Sequence, residues 1–242
     1  MSEDPSNDKK FNLQLLETKL KTCNENKDIE LKSYIEAYQE IQKFFPLLGK
    51  IFYFIYTDVQ KKLTILNNFT LDTNKSGIYK TVLSMVHYEV TLLKEPINEY
   101  IIKNDAAIGC RTLSRLHRAF NFFINFLEGI VNKQQILNNE NFTNNMDYKL
   151  STIAIESYNL TLSQFHPWII KKAVQVAAHS LPTKNDLLNQ LDPCSFILDI
   201  NEIHHYRNEI ILQKFIDIIQ ESKKIYNNIQ VIYRKYNITN IP

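Results

Sequence analysis

The chain has 242 residues, 44% of them hydrophobic, and a net charge of +2, enough apolar material for one substantial core. Four glycines are too few for an all-β chain or for a glycine-rich phosphate loop, and no run approaches 18 uncharged apolar residues, which excludes a membrane span. The composition leaves an all-α protein, with a polar, flexible tail at 1–9 and a single domain from 10 to 242.

Taken in order, residues 10–23 and 29–45 both carry helical apolar spacing, as at Leu31, Ile35, Tyr38 and Ile41, and lead up to Pro46. A strongly apolar helix follows from Lys50 to Asn67, interrupted by Asp58, Lys61 and Lys62. Gly77 to Leu93 reads as another helix, ended before Pro96, with a shorter segment to Lys103. The next helix spans about 106–131. The Asn-rich stretch 132–149 reads as an extended loop or insert. Helical spacing returns from Tyr148 to Phe165, and His166-Pro167 breaks it because proline disfavours α geometry in the residue before it. A helix to Leu181, a start at Thr183 with Asp186, a loop over most of Asp192 to Arg207, and a long helix from Asn208 to Tyr236 complete about eight helices without an internal repeat.

The helix at 106–131 changes character halfway. Arg111, Arg115 and Arg118 form one row at i, i+4 and i+7, and the same stripe continues as Phe122 and Phe126. Leu113, Leu116, Phe120, Phe123 and Leu127 occupy the other side. Cations above and phenyl rings below match an amphiphile with an anionic head and a hydrocarbon tail; a solvated arginine face is the plainer alternative. The guanidinium is suited to phosphate because its paired donors fit the oxygens and its charge persists at physiological pH. Asp58 and Lys62, at i and i+4, fit an ordinary surface ion pair, yet their apolar neighbours place the carboxylate at the edge of a core or against a partner. His166-Pro167-Trp168 reads either as core or with Trp168 at a bilayer interface and Lys171 and Lys172 near anionic headgroups.

No nucleophile-base signature is present, His204-His205 lacks the companions of a metal site, and the three cysteines form no C-x-x-C pair. The expectation is a non-enzyme without metal or cofactor in a reducing cytosol, since the N-terminus also lacks a signal-peptide core. Phe122 and Phe126 make the arginine helix internal, which argues against nucleic acid.

The segments Asp58-x-x-x-Lys62, Gly109-Cys-Arg-Thr-Leu-Ser-Arg-Leu-His-Arg-Ala, Phe126-Leu-Glu-Gly129, Ser157-Tyr-Asn and His166-Pro-Trp through Leu181-Pro-Thr resemble the glycolipid transfer protein superfamily, and within it the phosphate-headgroup branch. The resemblance implies a two-layer helical sandwich enclosing lipid chains. It implies that Asp58 accepts the ceramide amide N–H, that His166 donates to the amide carbonyl, and that Lys62, Arg111 and Arg115 hold the phosphate. Sugar-binding members carry Trp where this chain has Arg115. Trp168 corresponds to the family's membrane-docking Trp, and Ile238 to Pro242 resembles the apolar terminus of the phosphate branch. Candidates for the chain sleeve are Phe45, Phe52, Ile55, Leu116, Phe120, Phe123, Leu162 and Phe165. The expected partners of this monomer are a phosphate-headgroup sphingolipid, ceramide-1-phosphate, and a transiently contacted membrane. Another anionic lipid, such as phosphatidic acid or a sulfated glycolipid, and a non-transferring sensor are the alternatives. The 132–149 insert and the 192–208 stretch depart from the family pattern.

Overall fold

The computed structural model describes residues 10–73, 77–91, 108–139, 149–191, 200–239 and 241. Among them are nine α-helices: α1 (Leu13–Asn24), α2 (Leu31–Gln42), α3 (Tyr53–Leu71), α4 (Val82–Thr91), α5 (Gly109–Asn139), α6 (Leu150–Thr161), α7 (Trp168–Ala178), α8 (Lys184–Gln190) and α9 (Ile200–Lys235). They stack as an all-helical two-layer sandwich. The expected tail at 1–9, the segment from Pro96 to Lys103, and Cys194 lie outside the described residues.

The two long helices organise the rest, α5 packing against α3, α4, α6 and α9, and α9 also against α1 and α4. Both are longer than the sequence reading has them. α5 runs on to Asn139, so 132–139 is helix rather than loop, and residues 140–148 of the expected insert lie outside the described residues. Asparagine lowers helix propensity only modestly, and neither Gly nor Pro interrupts 130–139. α9 likewise begins at Ile200, eight residues before the expected start, because 200–235 contains no helix breaker at all.

Other boundaries moved inward where capping chemistry decides them. Thr81 and Ser84 exchange backbone N–H to hydroxyl bonds of 3.1 and 3.0 Å, so the helix expected from Gly77 starts at Val82. Asn12 Oδ1 accepts from the Leu15 N–H, and the Thr183 hydroxyl accepts from Asp186 N–H, fixing the starts of α1 and α8. Between α2 and α3 the chain makes two 3-10 turns, Phe45–Leu48 and Lys50–Phe52, joined by Gly49 at φ 115, a conformation that L side chains rarely adopt. The end of α9 is closed by Asn237 at φ 54, with the Ile238 N–H donating to Tyr233 carbonyl at 2.9 Å. That reversal drives Ile238 and Ile241 into the core.

The core is aromatic where the layers meet. Phe44 meets Phe123 edge-on at 5.5 Å and Phe126 at 6.2 Å, while Tyr38 lies 5.9 Å from Phe120. A second anchor is Glu89 on α4, which is buried and accepts from the Gly109 and Cys110 N–H groups at 2.7 and 2.8 Å and from the Tyr79 hydroxyl at 2.9 Å. It satisfies two of the unpaired donors at the start of α5 and places negative charge at the positive end of that helix.

Candidate lipid headgroup site

α3 presents Asp58 and Lys62 one turn apart, paired at 2.5 Å, with the carboxylate side chain 64% exposed and the lysine 17%. The exposed end of the pair is therefore the anion, at the edge of the core. Beneath it, the Tyr38 hydroxyl donates to the Leu116 carbonyl at 2.8 Å and Gln42 donates to Gln60 at 2.8 Å, so α2 is pinned to both α5 and α3. Burial raises the Tyr38 phenol, and the Asp58 charge adds to that rise.

Opposite α3, the basic half of α5 carries Arg111, partly buried, and Arg115, exposed. Arg118, the third of the row, does something different. Its guanidinium lies 3.9 Å from the centroid of the Phe165 ring and donates to the Ile241 carbonyl, holding the C-terminal residues in place. Burial pulls its pKa down and the Arg115 charge adds to the effect, so these two arginines are electrostatic neighbours.

His166 occupies the extended linker between the 3-10 turn Ser163–Phe165 and α7, at φ −113 and ψ 138, the conformation that the following Pro167 dictates. The half-buried ring is depressed in pKa chiefly by desolvation; Asp58 acts in the opposite direction and Lys171 with the burial. Asp58 is thus close enough to His166 for its charge to be felt. Arg118 reaches the Phe165 ring beside His166, so one arginine of the row lies against the linker that carries this histidine.

Of the sleeve candidates, Phe45, Phe52, Leu116, Phe120 and Phe123 are buried, whereas Ile55 and Leu162 are partly buried against the same core. Phe165 departs from the expectation of an interior residue: it is 43% exposed and forms the platform for Arg118. Trp168 and Ile169 are 69% and 63% exposed at the start of α7, which overturns the core-indole alternative; Lys171 and Lys172 follow in the next turn.

Two groups stand out only in three dimensions. Tyr158 is buried on α6 and its hydroxyl lies 2.9 Å from His166 Nδ1. His117, off the arginine row, is buried, stacked on Tyr226 at 4.2 Å and bonded through Nε2 to Gln230 at 3.0 Å. Desolvation, with Arg118 second, lowers its pKa to about 3. Tyr158 and His166 stand only eight residues apart, with Pro167 marking the end of the segment, yet neither that spacing nor any pattern around His117, whose partners lie more than a hundred positions away, signalled these pairings.

Residues 29–193 match the family model described as Glycolipid transfer protein (GLTP). The chain belongs to the glycolipid transfer protein family. Among its relatives, the ceramide-1-phosphate transfer protein of Danio rerio is 34% identical over 233 residues, covering 96% of this chain and 98% of the relative. Among solved structures, the apo form of mouse ceramide-1-phosphate transfer protein superposes with a TM-score of 0.77 at 28% identity, over 96% of this chain and 100% of the other. The human ceramide-1-phosphate transfer protein in complex with 12:0 ceramide-1-phosphate superposes at 0.74 with 27% identity and the same coverage. For a member of this family, the all-helical sandwich and the resemblance drawn from the Asp58, Arg111 and His166 segments agree with both comparisons. None of the described helices is long and apolar enough to cross a membrane.

Proposed function

We propose that this chain moves ceramide-1-phosphate between membranes without chemical change, the phosphate being held by Lys62, Arg111 and Arg115 and the amide by Asp58 and His166. What supports the reading is the Asp58–Lys62 pair on α3, whose charge is felt at His166, together with the arginine row of α5 in a chain whose relatives include ceramide-1-phosphate transfer proteins. An amide offers an N–H and a carbonyl side by side, and an exposed carboxylate next to a neutral imidazole complements both. The phosphomonoester, near −2, then meets cations worth roughly 1.5–3 kcal/mol per charge-assisted bond.

The hydrocarbon sets the need for a carrier. About thirty methylenes at ~0.8 kcal/mol each cost on the order of 25 kcal/mol to expose to water. An apolar sleeve exchanges one hydrocarbon medium for another, so the endpoints become nearly level. Phe120 and Phe123, packed against Tyr38 and Phe44 where the layers meet, are the rings that would line such a sleeve. The exposed Trp168 and Ile169, followed by Lys171 and Lys172, suit a transient contact with an anionic bilayer surface at the water-facing end of α7.

The test is vesicle-to-vesicle transfer with a headgroup panel of ceramide-1-phosphate, phosphatidic acid, a sulfated glycolipid and a neutral glycosylceramide. Ceramide-1-phosphate should move fastest, and Arg111→Leu and Arg115→Leu should each slow it at least about tenfold while leaving the helical circular dichroism unchanged. Parental rates in both variants would overturn the phosphate assignment. Tight binding of ceramide-1-phosphate without transfer would make the chain a sensor instead.

A further inference from the structure

We infer that Tyr158 sets the tautomer of His166: its hydroxyl donates to Nδ1, which leaves the proton on Nε2 and turns that nitrogen into the donor for an acyl carbonyl. Tyr158 is a positioning residue in this account, and the inference rests on the proposed role of His166 in holding the amide.

The geometry is a buried phenol on α6 and a half-buried imidazole in the linker that follows, with O and Nδ1 2.9 Å apart. Their ring centroids are 5.6 Å apart. The backbone of His166 is fixed independently, because Pro167 holds it extended and its N–H donates to the Ser163 carbonyl at 3.2 Å. Only rotation of the ring and the position of its proton remain free, and Tyr158 acts on both. A phenol is a stronger donor than acceptor, and the bare nitrogen of a neutral imidazole is a stronger acceptor than a phenol oxygen. The favoured arrangement is therefore O–H to Nδ1. Burial raises the Tyr158 phenol and lowers the His166 imidazole, so both are neutral near pH 7 and the hydroxyl keeps its proton. With the opposite tautomer, Nε2 would turn a lone pair towards the carbonyl oxygen, and a donor contact would become a repulsion. Asp58 accepts and Nε2 donates, so the pair reads the direction of the amide as well as its presence.

The decisive measurement is ¹⁵N NMR of the full, lipid-free chain with labelled histidine at pH 7.5, the His166 signals being identified by their loss in His166→Ala. Nε2 should resonate as the protonated nitrogen and Nδ1 as the bare one, and in Tyr158→Phe the two should move towards an average. Ceramide-1-phosphate transfer should fall about tenfold in Tyr158→Phe, and at least as far in His166→Ala, whereas adding Tyr158→Phe to His166→Ala should change nothing more. A proton on Nδ1 in the unmodified chain, additive losses in the double variant, or parental transfer by Tyr158→Phe would overturn the inference. If His166→Ala itself transfers normally, the role of His166 fails rather than its orientation, and the NMR result separates the two. The spectrum of the unmodified chain decides the tautomer even if Tyr158→Phe does not fold.

Discussion

Two carboxylates, one on α4 facing the start of α5 and one in the middle of α3, occupy opposite situations. Glu89 is 3% exposed and accepts three hydrogen bonds from the fold, whereas the Asp58 side chain is 64% exposed with Lys62 as its ion-pair partner. The first is enclosed by the fold and is out of reach of anything outside the protein. The second keeps acceptor capacity at the surface and contributes little to stability because an exposed ion pair is screened by water. A side chain that gives the fold little yet stands among large apolar neighbours is where binding of something external is to be sought.

Substitutions at these two sites should separate stability from transfer. Glu89→Ala should lower the unfolding free energy by about 3 kcal/mol or more in urea, since it strands two buried N–H donors and opens space beside Met85. Asp58→Val should leave the urea midpoint within about 1 kcal/mol and still strongly impair transfer of amide-bearing lipids. Should Asp58→Val unfold the chain as Glu89→Ala does, the contrast between the two carboxylates would be lost.

His117 extends the interior side of the comparison to pH. Its pKa is about 3 in the folded chain against about 6.5 when unfolded, so the unfolded state binds more protons between those limits. The stability it confers is therefore complete above about pH 6.5 and is lost as pH falls towards 3, to the extent of a few kcal/mol. His117→Phe, which keeps a ring against Tyr226, should flatten the decline of urea midpoint between pH 6.5 and 4.5. Backbone contact gives a further case: a Cβ at Gly129 would overlap Cγ2 of Ile153 where α5 meets α6, and Gly129→Ala should cost about 1–3 kcal/mol by thermal unfolding. On the surface side, Trp168→Ala should change stability by less than about 0.5 kcal/mol, yet slow transfer from anionic vesicles several-fold.

The same division explains what could be read from the sequence. The apolar stripes of α2, α5 and α6 are local patterns with a 3.6-residue period, so the helices and the arginine row were legible from spacing alone. Asp58 and Lys62 share one turn and His166 is marked by its proline, so the ion pair of α3 and the extended linker before α7 were legible as well. Interactions between distant segments were not. Glu89 looked like an ordinary polar position on α4, and its role depends on donors twenty residues away. Arg118 belonged to the same row as Arg111 and Arg115, but the Ile241 carbonyl diverts it to the C-terminus. Helix ends failed for a related reason: composition made 132–139 and 200–207 look irregular, although neither stretch contains a Gly or Pro that would break the helix.

Native mass spectrometry after incubation with vesicles containing equal amounts of ceramide-1-phosphate, phosphatidic acid and a neutral glycosylceramide tests the central claim most directly. The account predicts a one-to-one adduct dominated by ceramide-1-phosphate, and its loss in Arg115→Leu. Equal uptake of the three lipids, or an adduct undiminished in that variant, would contradict it.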